Sequence, residues 1–242
     1  MKTPVATSLL LYLLTAALTV SAESRVVDLQ TSDGINLKAS YASPGRTGPA
    51  MLLIHQCNMD RSSWKEISSN LVAGGIHVLA LDLRGFGESG GEGLSSGFPI
   101  LLRKSAGDAD LAFNYLVSQT NVDASRVGVG GASCGGMISA DLAVRKGTRI
   151  KALMLLSSPP SSNAIEHAAN NSELAIFAAA TKNDPITRGV AATLESMVNG
   201  SANPSSVLRI IEGTEHGLPM FSGNPTLQPE LLNWLKEQLL SE

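Results

Sequence analysis

Aromatic side chains and clusters of positive charge are scarce in this sequence of 242 residues. Aromatic residues make up 4% of the chain and charged residues 16%, with a formal net charge of −3 and no concentration of Lys and Arg. Because proteins bind nucleic acids through clustered cations that neutralise phosphates, we do not expect a nucleic-acid partner. The shortage of aromatic rings also disfavours a surface on which bases or sugars stack.

Patterns that would hold a metal or a dinucleotide are missing as well. The His, Cys, Asp and Glu residues show no metal-ligand spacing, and the Gly-rich segment 128–136 lacks the glycine spacing and the paired acid of a dinucleotide site. We therefore predict neither a metal nor a cofactor. Hydrophobic residues form 43% of the chain, which suffices for one core, and the length suits one domain.

The first 22 residues have the composition of an export signal. Lys2 precedes an apolar run from Val5 to Val20, and the small residues Ser21 and Ala22 suit a signal peptidase. The run is short and interrupted by Thr and Ser, unlike a membrane span of about 20 apolar residues. We predict a signal peptide over 1–22 and a single domain over 23–242, exported and without stable membrane insertion. The alternative is an uncleaved anchor or a buried first helix.

Apolar runs typical of buried strands alternate with helical segments along the rest of the chain. Such a pattern indicates an α/β fold, with a mostly parallel sheet covered by helices on both faces. In these sheets, functional groups gather after the carboxyl ends of the strands. The predicted strands are 25–30, 35–41, 50–55, 76–83, 126–130, 150–156, 174–180 and 206–211, and the predicted helices are 63–73, 103–118, 134–144, 186–198 and 228–240.

The pattern G-x-S-x-G, typical of a catalytic serine, occurs at Gly87–Gly91, Gly93–Gly97 and Gly131–Gly135. A serine of this kind lies on a tight, strained turn between a strand and a helix. Only the third occurrence has a predicted strand before it and a predicted helix after it. The first two lie where Pro99 and paired glycines predict irregular backbone with no helix start behind them. We therefore select Ser133 as the nucleophile, the alternative being a turn that binds a phosphate or only packs.

Cys134 is a second nucleophile candidate. A shift of one residue also places small residues on both sides of its thiol, and thiolates are strong nucleophiles. The alternation of Val127 and Val129 along the preceding strand favours Ser133.

A serine nucleophile needs a base and an acid that orients the base. His216 follows the last predicted strand and Asp184 follows the strand before it, which gives the chain order Ser, Asp, His. Asp82 is a competing acid, but it precedes Ser133 and we interpret it as fixing the loop after its strand. The remaining histidines are given no catalytic role: His55 and His77 at strand ends, and His167 in a polar, solvated loop.

Both cysteines of the chain fall where an oxyanion hole is expected. One backbone N–H comes from the residue after the nucleophile, Cys134, and the other from the loop after His55, at Cys57, with Gln56 beside it. The two backbones must then lie close together. We therefore hypothesise a disulfide between Cys57 and Cys134 that holds the oxyanion hole, the alternative being two free, half-buried thiols.

Several segments stand in the order found in α/β-hydrolases: Ser32–Gly34, His55–Gln56, Asp82–Ser89, Gly131–Gly136, Asn183–Asp184 and Glu215–Gly217. From Val26 to Leu240 the chain most resembles the small dienelactone-hydrolase-like and serine-aminopeptidase-like branches. The resemblance implies an α/β-hydrolase fold and a triad of Ser133, Asp184 and His216, but no particular substrate.

Three features depart from the pattern of that family. Gln56 stands where members usually have Gly, and Ser133 stands where dienelactone hydrolases use Cys. Only residues 157–173 separate the sixth strand from the next, so we predict little or no cap domain and an open site. Apolar loop residues are expected near the pocket, with ordinary packing as the alternative: Met59, Phe98, Leu218, Met220 and Phe221.

The predicted function is a serine hydrolase that cleaves carboxylic ester or other acyl bonds of a small molecule through an acyl-enzyme. An exported serine peptidase of the same fold is the first alternative, although no carboxylate that would hold a substrate's N-terminal amine is identified. A catalytically silent binding protein on the same scaffold is the second, and the complete triad argues against it.

Overall fold

One eight-stranded sheet organises the chain. The computed structural model describes residues 23–241, and the predicted signal peptide at 1–22 lies outside the described residues. The strands are β1 (Glu23–Gln30), β2 (Asn36–Ser43), β3 (Gly48–Ile54), β4 (His77–Leu81), β5 (Val122–Ala132), β6 (Ile150–Leu156), β7 (Ala175–Thr181) and β8 (Val207–Ile211). Their order in the sheet is β1-β2-β4-β3-β5-β6-β7-β8. β2 runs antiparallel to both of its neighbours, and every other pair is parallel.

Helices cover both faces of this sheet, as predicted. They are α1 (Lys65–Ala73), α2 (Phe98–Val117), α3 (Cys134–Lys146), α4 (Ser162–Asn170), α5 (Val190–Asn199), α6 (Met220–Gly223) and α7 (Leu227–Leu240). Successive residues of a strand point to opposite faces. On β3, Leu52 and Ile54 therefore pack with α2 to α5, whereas Met51 and Leu53 pack with α1, α6 and α7. The α/β fold is confirmed.

Two helix starts differ from the predicted ones by about a helical turn or more. α2 begins at Phe98 rather than at 103, with Pro99 in its first turn, where the missing N–H of proline costs no helical hydrogen bond. The expectation of irregular backbone at Pro99 was therefore wrong. α5 begins at Val190 rather than at 186, because residues 184–189 turn around the Asp184 carboxylate. His167 lies in α4 rather than in a loop.

The segment of chain that connects β6 to β7 is short. The connection contains α4, a helix of nine residues that packs against α3 and α5. The prediction of little or no cap domain is confirmed, and the carboxyl edge of the sheet is not covered by an inserted domain at this point. No helix within residues 23–241 combines the length and the apolarity needed to cross a membrane.

Candidate active site

Ser133 occupies a strained turn between a strand and a helix. β5 ends at Ala132 and α3 begins at Cys134. The φ of 50° and ψ of −123° at Ser133 place a non-glycine residue in a disfavoured region of backbone space. Its N–H donates to the carbonyl of Leu156 at 2.8 Å, so the neighbouring strand β6 holds the turn. This is the geometry that the third G-x-S-x-G predicted.

Close backbone packing explains the glycines around Ser133. A Cβ on Gly131 would lie 2.4 Å from the carbonyl carbon of Gly135, and a Cβ on Gly135 would lie 2.2 Å from the carbonyl oxygen of Ile54. Backbone atoms cannot move aside cheaply, so the crossing of β3, β5 and α3 requires glycine at both positions.

The other two G-x-S-x-G segments have different surroundings. Ser89 lies in the loop after β4, where its hydroxyl donates to the Asp82 carbonyl and accepts from the Lys38 N–H, both at 2.8 Å. Ser95 lies in a short 3-10 turn, and its hydroxyl donates to the Glu92 carbonyl at 2.6 Å. α2 does follow the second segment, but no strand leads directly into it. Neither serine lies on a strand-to-helix turn.

The Asp184 carboxylate follows β7 and receives four hydrogen bonds. Oδ1 accepts from the N–H groups of Ile186 (2.9 Å) and Thr187 (3.0 Å), and Oδ2 accepts from His216 Nδ1 (2.7 Å) and Thr187 Oγ1 (3.0 Å). Burial raises the pKa of Asp184, but the hydrogen bonds from Thr187 and His216 outweigh it and hold the pKa below its usual value. An ionised carboxylate can only accept hydrogen bonds, so Nδ1 of His216 carries a proton and donates to Asp184 Oδ2.

His216 lies in the loop after β8, which packs against neighbouring loops. The Thr181 hydroxyl donates to the Glu215 carbonyl at 2.8 Å and ties this loop to the end of β7. A Cβ built on Gly217 would lie 3.4 Å from the Cβ of Ala132, the residue before Ser133. The structure therefore brings the loop of His216 against the turn of Ser133.

His55 and Gln56 fix the loop after β3. The Leu83 N–H donates to His55 Nε2 at 3.0 Å, so the ring proton lies on Nδ1, which donates to the Gln56 carbonyl at 2.8 Å. Burial lowers the pKa of His55 and keeps its ring neutral. The peptide between Gln56 and Cys57 is trans, so the Cys57 N–H points away from the carbonyl that His55 holds. His55 thereby orients one of the two predicted oxyanion donors.

A disulfide joins Cys57 and Cys134, as hypothesised. Their Cα atoms are 5.9 Å apart across a sequence separation of 77 residues. The alternative of two free thiols is wrong for this structure. Cys134 is also the first residue of α3, where a backbone N–H has no partner within the helix. The crosslink thus connects the two residues whose N–H groups are the predicted oxyanion donors.

Asp82 has the structural role expected of it, and His77 is buried within the fold. Asp82 is fully buried, pairs with the Arg61 guanidinium, and accepts the N–H groups of Arg61 (2.6 Å) and Glu88 (3.0 Å). It therefore fixes the loop after β4. His77 is fully buried at the start of β4, with Nδ1 2.8 Å from the Tyr41 hydroxyl.

The expected pocket residues differ in exposure. Met220 is fully buried in the core beside α7, because α6 turns it toward the sheet, so it does not line an open pocket. Phe98 is 41% exposed at the start of α2. A groove of about 840 Å³ lies elsewhere, between α1 and strands β1, β2 and β4. Half-buried side chains complete the expected set: Met59, Leu218 and Phe221.

Sequence reasoning missed Thr187, whose side chain touches two of the three predicted triad residues. Its hydroxyl donates to Asp184 Oδ2 at 3.0 Å and lies 3.5 Å from His216 Nδ1. The segment from Asp184 to Thr187 forms a turn in which the aspartate accepts the N–H groups two and three residues later. Such aspartate-led turns are a known local pattern, and that pattern could have identified Thr187.

Comparison with known proteins identifies the family. The sequence model described as alpha/beta hydrolase fold matches residues 49–186, a range that includes Ser133 and Asp184. The chain belongs to the α/β-hydrolase family. A similar sequence is that of an uncharacterised protein of Mycobacterium tuberculosis, 33% identical over 146 residues that cover 60% of this chain and 48% of that protein. The chain thus spans about half the length of the curated relative it matches.

Solved α/β-hydrolase structures share the fold over most of the chain. An esterase of Pyrococcus furiosus is 16% identical with a TM-score of 0.71, covering 90% of this chain and 94% of the esterase. A dienelactone hydrolase of Anabaena variabilis is 17% identical with a TM-score of 0.72, covering 90% of this chain and 99% of that enzyme. The predicted resemblance to small α/β-hydrolases of this type is confirmed.

Proposed function

We propose that this α/β-hydrolase is a serine hydrolase that cleaves carboxylic ester or other acyl bonds of a small molecule. One observation carries the proposal: the strained turn of Ser133 adjoins a loop in which His216 Nδ1 lies 2.7 Å from Asp184 Oδ2. In these roles Ser133 is the nucleophile, His216 the general base and Asp184 the acid that orients it.

The first half of the reaction forms an acyl-enzyme. His216 Nε2 accepts the hydroxyl proton as Ser133 Oγ attacks the acyl carbon, and the carbonyl electron pair moves onto the oxygen. The N–H groups of Cys57 and Cys134 stabilise the resulting oxyanion. When the carbonyl re-forms, the ester C–O bond breaks and the alcohol leaves with the proton from His216.

The second half returns the enzyme to its starting state. Water attacks the acyl carbon while His216 accepts one of its protons, which then passes to Ser133 Oγ as the acyl bond breaks. The carboxylic acid leaves. Asp184 stays ionised throughout and stabilises the imidazolium that forms in each half.

Two features of the described residues favour efficient oxyanion binding. The Cys134 N–H lies at the N-terminus of α3, whose 13 residues align their peptide dipoles with the positive end toward the developing charge. The Cys57 N–H is oriented by the His55–Gln56 hydrogen bond described above. A donor fixed before the reaction needs no reorganisation when the charge develops.

Export is the second part of the proposal. A disulfide is typical of oxidising compartments outside the cytosol, which supports a signal peptide over 1–22 and a mature domain over 23–242. N-terminal sequencing of the protein recovered from the periplasm or medium of an expressing bacterium is expected to begin at Glu23. Recovery of the uncleaved chain from the cytosol would contradict export.

Labelling with a fluorophosphonate, which reacts with activated serines, tests the proposed serine-hydrolase activity. We expect the wild-type protein to be labelled and to hydrolyse short p-nitrophenyl esters, and Ser133→Ala to do neither. Ser95→Ala is the matched control, because it removes an exposed hydroxyl from another G-x-S-x-G segment. Asp184→Asn is expected to lower kcat by about 10⁴-fold, since an amide favours the wrong imidazole tautomer.

Two outcomes would favour the other functions. Turnover of aminoacyl p-nitroanilides well above that of p-nitrophenyl esters would indicate a peptidase. No labelling of the folded wild-type protein would contradict the serine mechanism and favour a binding role or chemistry at another residue.

A further inference from the structure

We propose that Gln56 is a positioning residue whose side chain couples the loop of the base to the loop of the oxyanion donor. The inference deepens the proposed function and rests on it, since it assigns Gln56 a task in holding His216 and Cys57.

The Gln56 side chain bridges two loops that are far apart in sequence. It is 2% exposed. Its Oε1 accepts the Leu218 N–H at 2.9 Å, across 162 residues of chain, and its Nε2 donates to Asn58 Oδ1 at 2.8 Å. A backbone N–H bonds only to an acceptor, so the oxygen of the amide must face Leu218. Both polar ends of this buried amide are therefore satisfied.

The fit against the His216 loop is tight. Gly217, between His216 and Leu218, has a φ of 69°, and a Cβ built there would lie 2.2 Å from Gln56 Oε1. No side chain fits between the amide and this loop. Gln56 therefore holds the backbone that follows His216 by contact as well as by a hydrogen bond.

The backbone of Gln56 holds the other loop. Its carbonyl accepts from His55 Nδ1 at 2.8 Å and from the Met59 N–H at 3.0 Å. These bonds orient the peptide that carries the Cys57 N–H. One residue thus fixes both the base loop, through its side chain, and the oxyanion donor, through its carbonyl.

The consequence is a specific kinetic effect. The Asp184 hydrogen bond restrains the Nδ1 side of the His216 ring, and the backbone of 217 and 218 sets where the Nε2 side points. Small misplacements of catalytic groups lower the rate of the chemical step more than they weaken substrate binding. Loss of the Gln56 acceptor should therefore lower kcat with little change in KM.

The test compares Gln56→Leu with Gln56→Glu. Leucine fills similar space without an acceptor, whereas glutamate keeps an oxygen for the Leu218 N–H, and its second oxygen can accept from Asn58 once that amide flips. For p-nitrophenyl ester hydrolysis we expect Gln56→Leu to lower kcat by about tenfold to a hundredfold with KM within about twofold, and Gln56→Glu to recover most of the loss. Gln119→Leu is the matched control, because it removes a half-buried glutamine amide that bonds to Arg25 and lies outside the loops of His216 and Cys57.

Amide hydrogen exchange at Leu218 tests the contact without reference to catalysis. We expect exchange at least about tenfold slower in the wild-type protein and in Gln56→Glu than in Gln56→Leu. A rapidly exchanging Leu218 amide in the wild-type protein would overturn the inference even if Ser133 is labelled. If the Leu218 amide exchanges slowly but the fluorophosphonate does not label the protein, the proposed function is contradicted and the contact between Gln56 and Leu218 stands.

A second variant keeps the inference testable if Gln56→Leu does not fold. Gly217→Ala pushes a methyl group against Gln56 Oε1, whereas Gly34→Ala imposes the same kind of backbone strain, at a φ of 84°, in open space. We expect Gly217→Ala to lower kcat about tenfold or more and Gly34→Ala to leave kcat unchanged. Equal kcat values in the two variants, or in Gln56→Leu and the wild type, would refute the role of Gln56.

Discussion

Removal of the Cys57–Cys134 disulfide should lower both the stability and the activity of the protein. The double variant Cys57→Ala/Cys134→Ala removes the crosslink without leaving a free thiol. The two cysteines are 77 residues apart in sequence, and the chain-entropy relation for a loop of that length gives about 4.5 kcal/mol at about 25 °C. For a domain of this size that corresponds to a fall in Tm of roughly 9–18 °C.

Urea unfolding of the oxidised wild-type protein and of the double variant measures the difference. The chain has two cysteines, so the denatured, unreduced wild-type protein should contain no free thiol. Dithiothreitol should shift the wild-type midpoint toward that of the variant and leave the variant unchanged. A loss of stability below about 1 kcal/mol, or two free thiols in the denatured protein, would refute the reasoning.

The same variant reports on the oxyanion hole. If the crosslink fixes the spacing of the Cys57 and Cys134 N–H groups, its loss should lower kcat about tenfold or more with KM little changed. The activity must be measured below the unfolding transition of the variant, so that the comparison is between folded proteins. Unchanged kcat together with lower stability would mean that the disulfide stabilises the fold alone.

Further predictions concern Gly135, Thr187 and His77. Gly135→Ala places a Cβ 2.2 Å from the Ile54 carbonyl oxygen and should cost about 3 kcal/mol or more in urea unfolding; a wild-type midpoint would contradict this packing. Thr187→Val removes a hydroxyl donor to the Asp184 carboxylate and should lower kcat/KM about tenfold. Thr187→Ser keeps the hydroxyl and should retain the wild-type kcat/KM. Equal losses of kcat/KM in both variants would show that the hydroxyl is not responsible. Burial lowers the pKa of His77 in the folded protein. At a pH between the folded and unfolded pKa values, His77 is therefore protonated in the unfolded chain and neutral in the folded chain. The stability that this contributes is complete above the unfolded pKa of about 6.5 and is lost as the pH falls below it. Urea midpoints at pH 7.5 and 5.5 measure the loss, which should be smaller in His77→Gln; an equal loss in that variant would rule out His77 as a source.

Most of the fold was predictable because its causes are local. Apolar runs of strand length separated by helical periods specify a parallel sheet with two covered faces, and the strand over Ile150–Leu156 was predicted to the residue. Local reasoning erred at Pro99, which was interpreted as a breaker although proline suits a first helical turn. It also missed Thr187, because the turn around Asp184 was interpreted as helix.

Residue types and their arrangement along the chain were enough to predict the order of the elements, the glycines around Ser133 and the succession of Ser133, Asp184 and His216. The strands, helices and glycines follow from residue patterns within single segments, and the succession of the three predicted triad residues follows from the order of those segments along the chain. The folded chain was needed to show that Gln56 bonds to Leu218, that the hypothesised pairing of Cys57 and Cys134 forms, and that Met220 is buried in the core. Contacts across 77 or 162 residues depend on the order in which strands join the sheet, and no local preference encodes the distance between two loops that only the assembled sheet brings together.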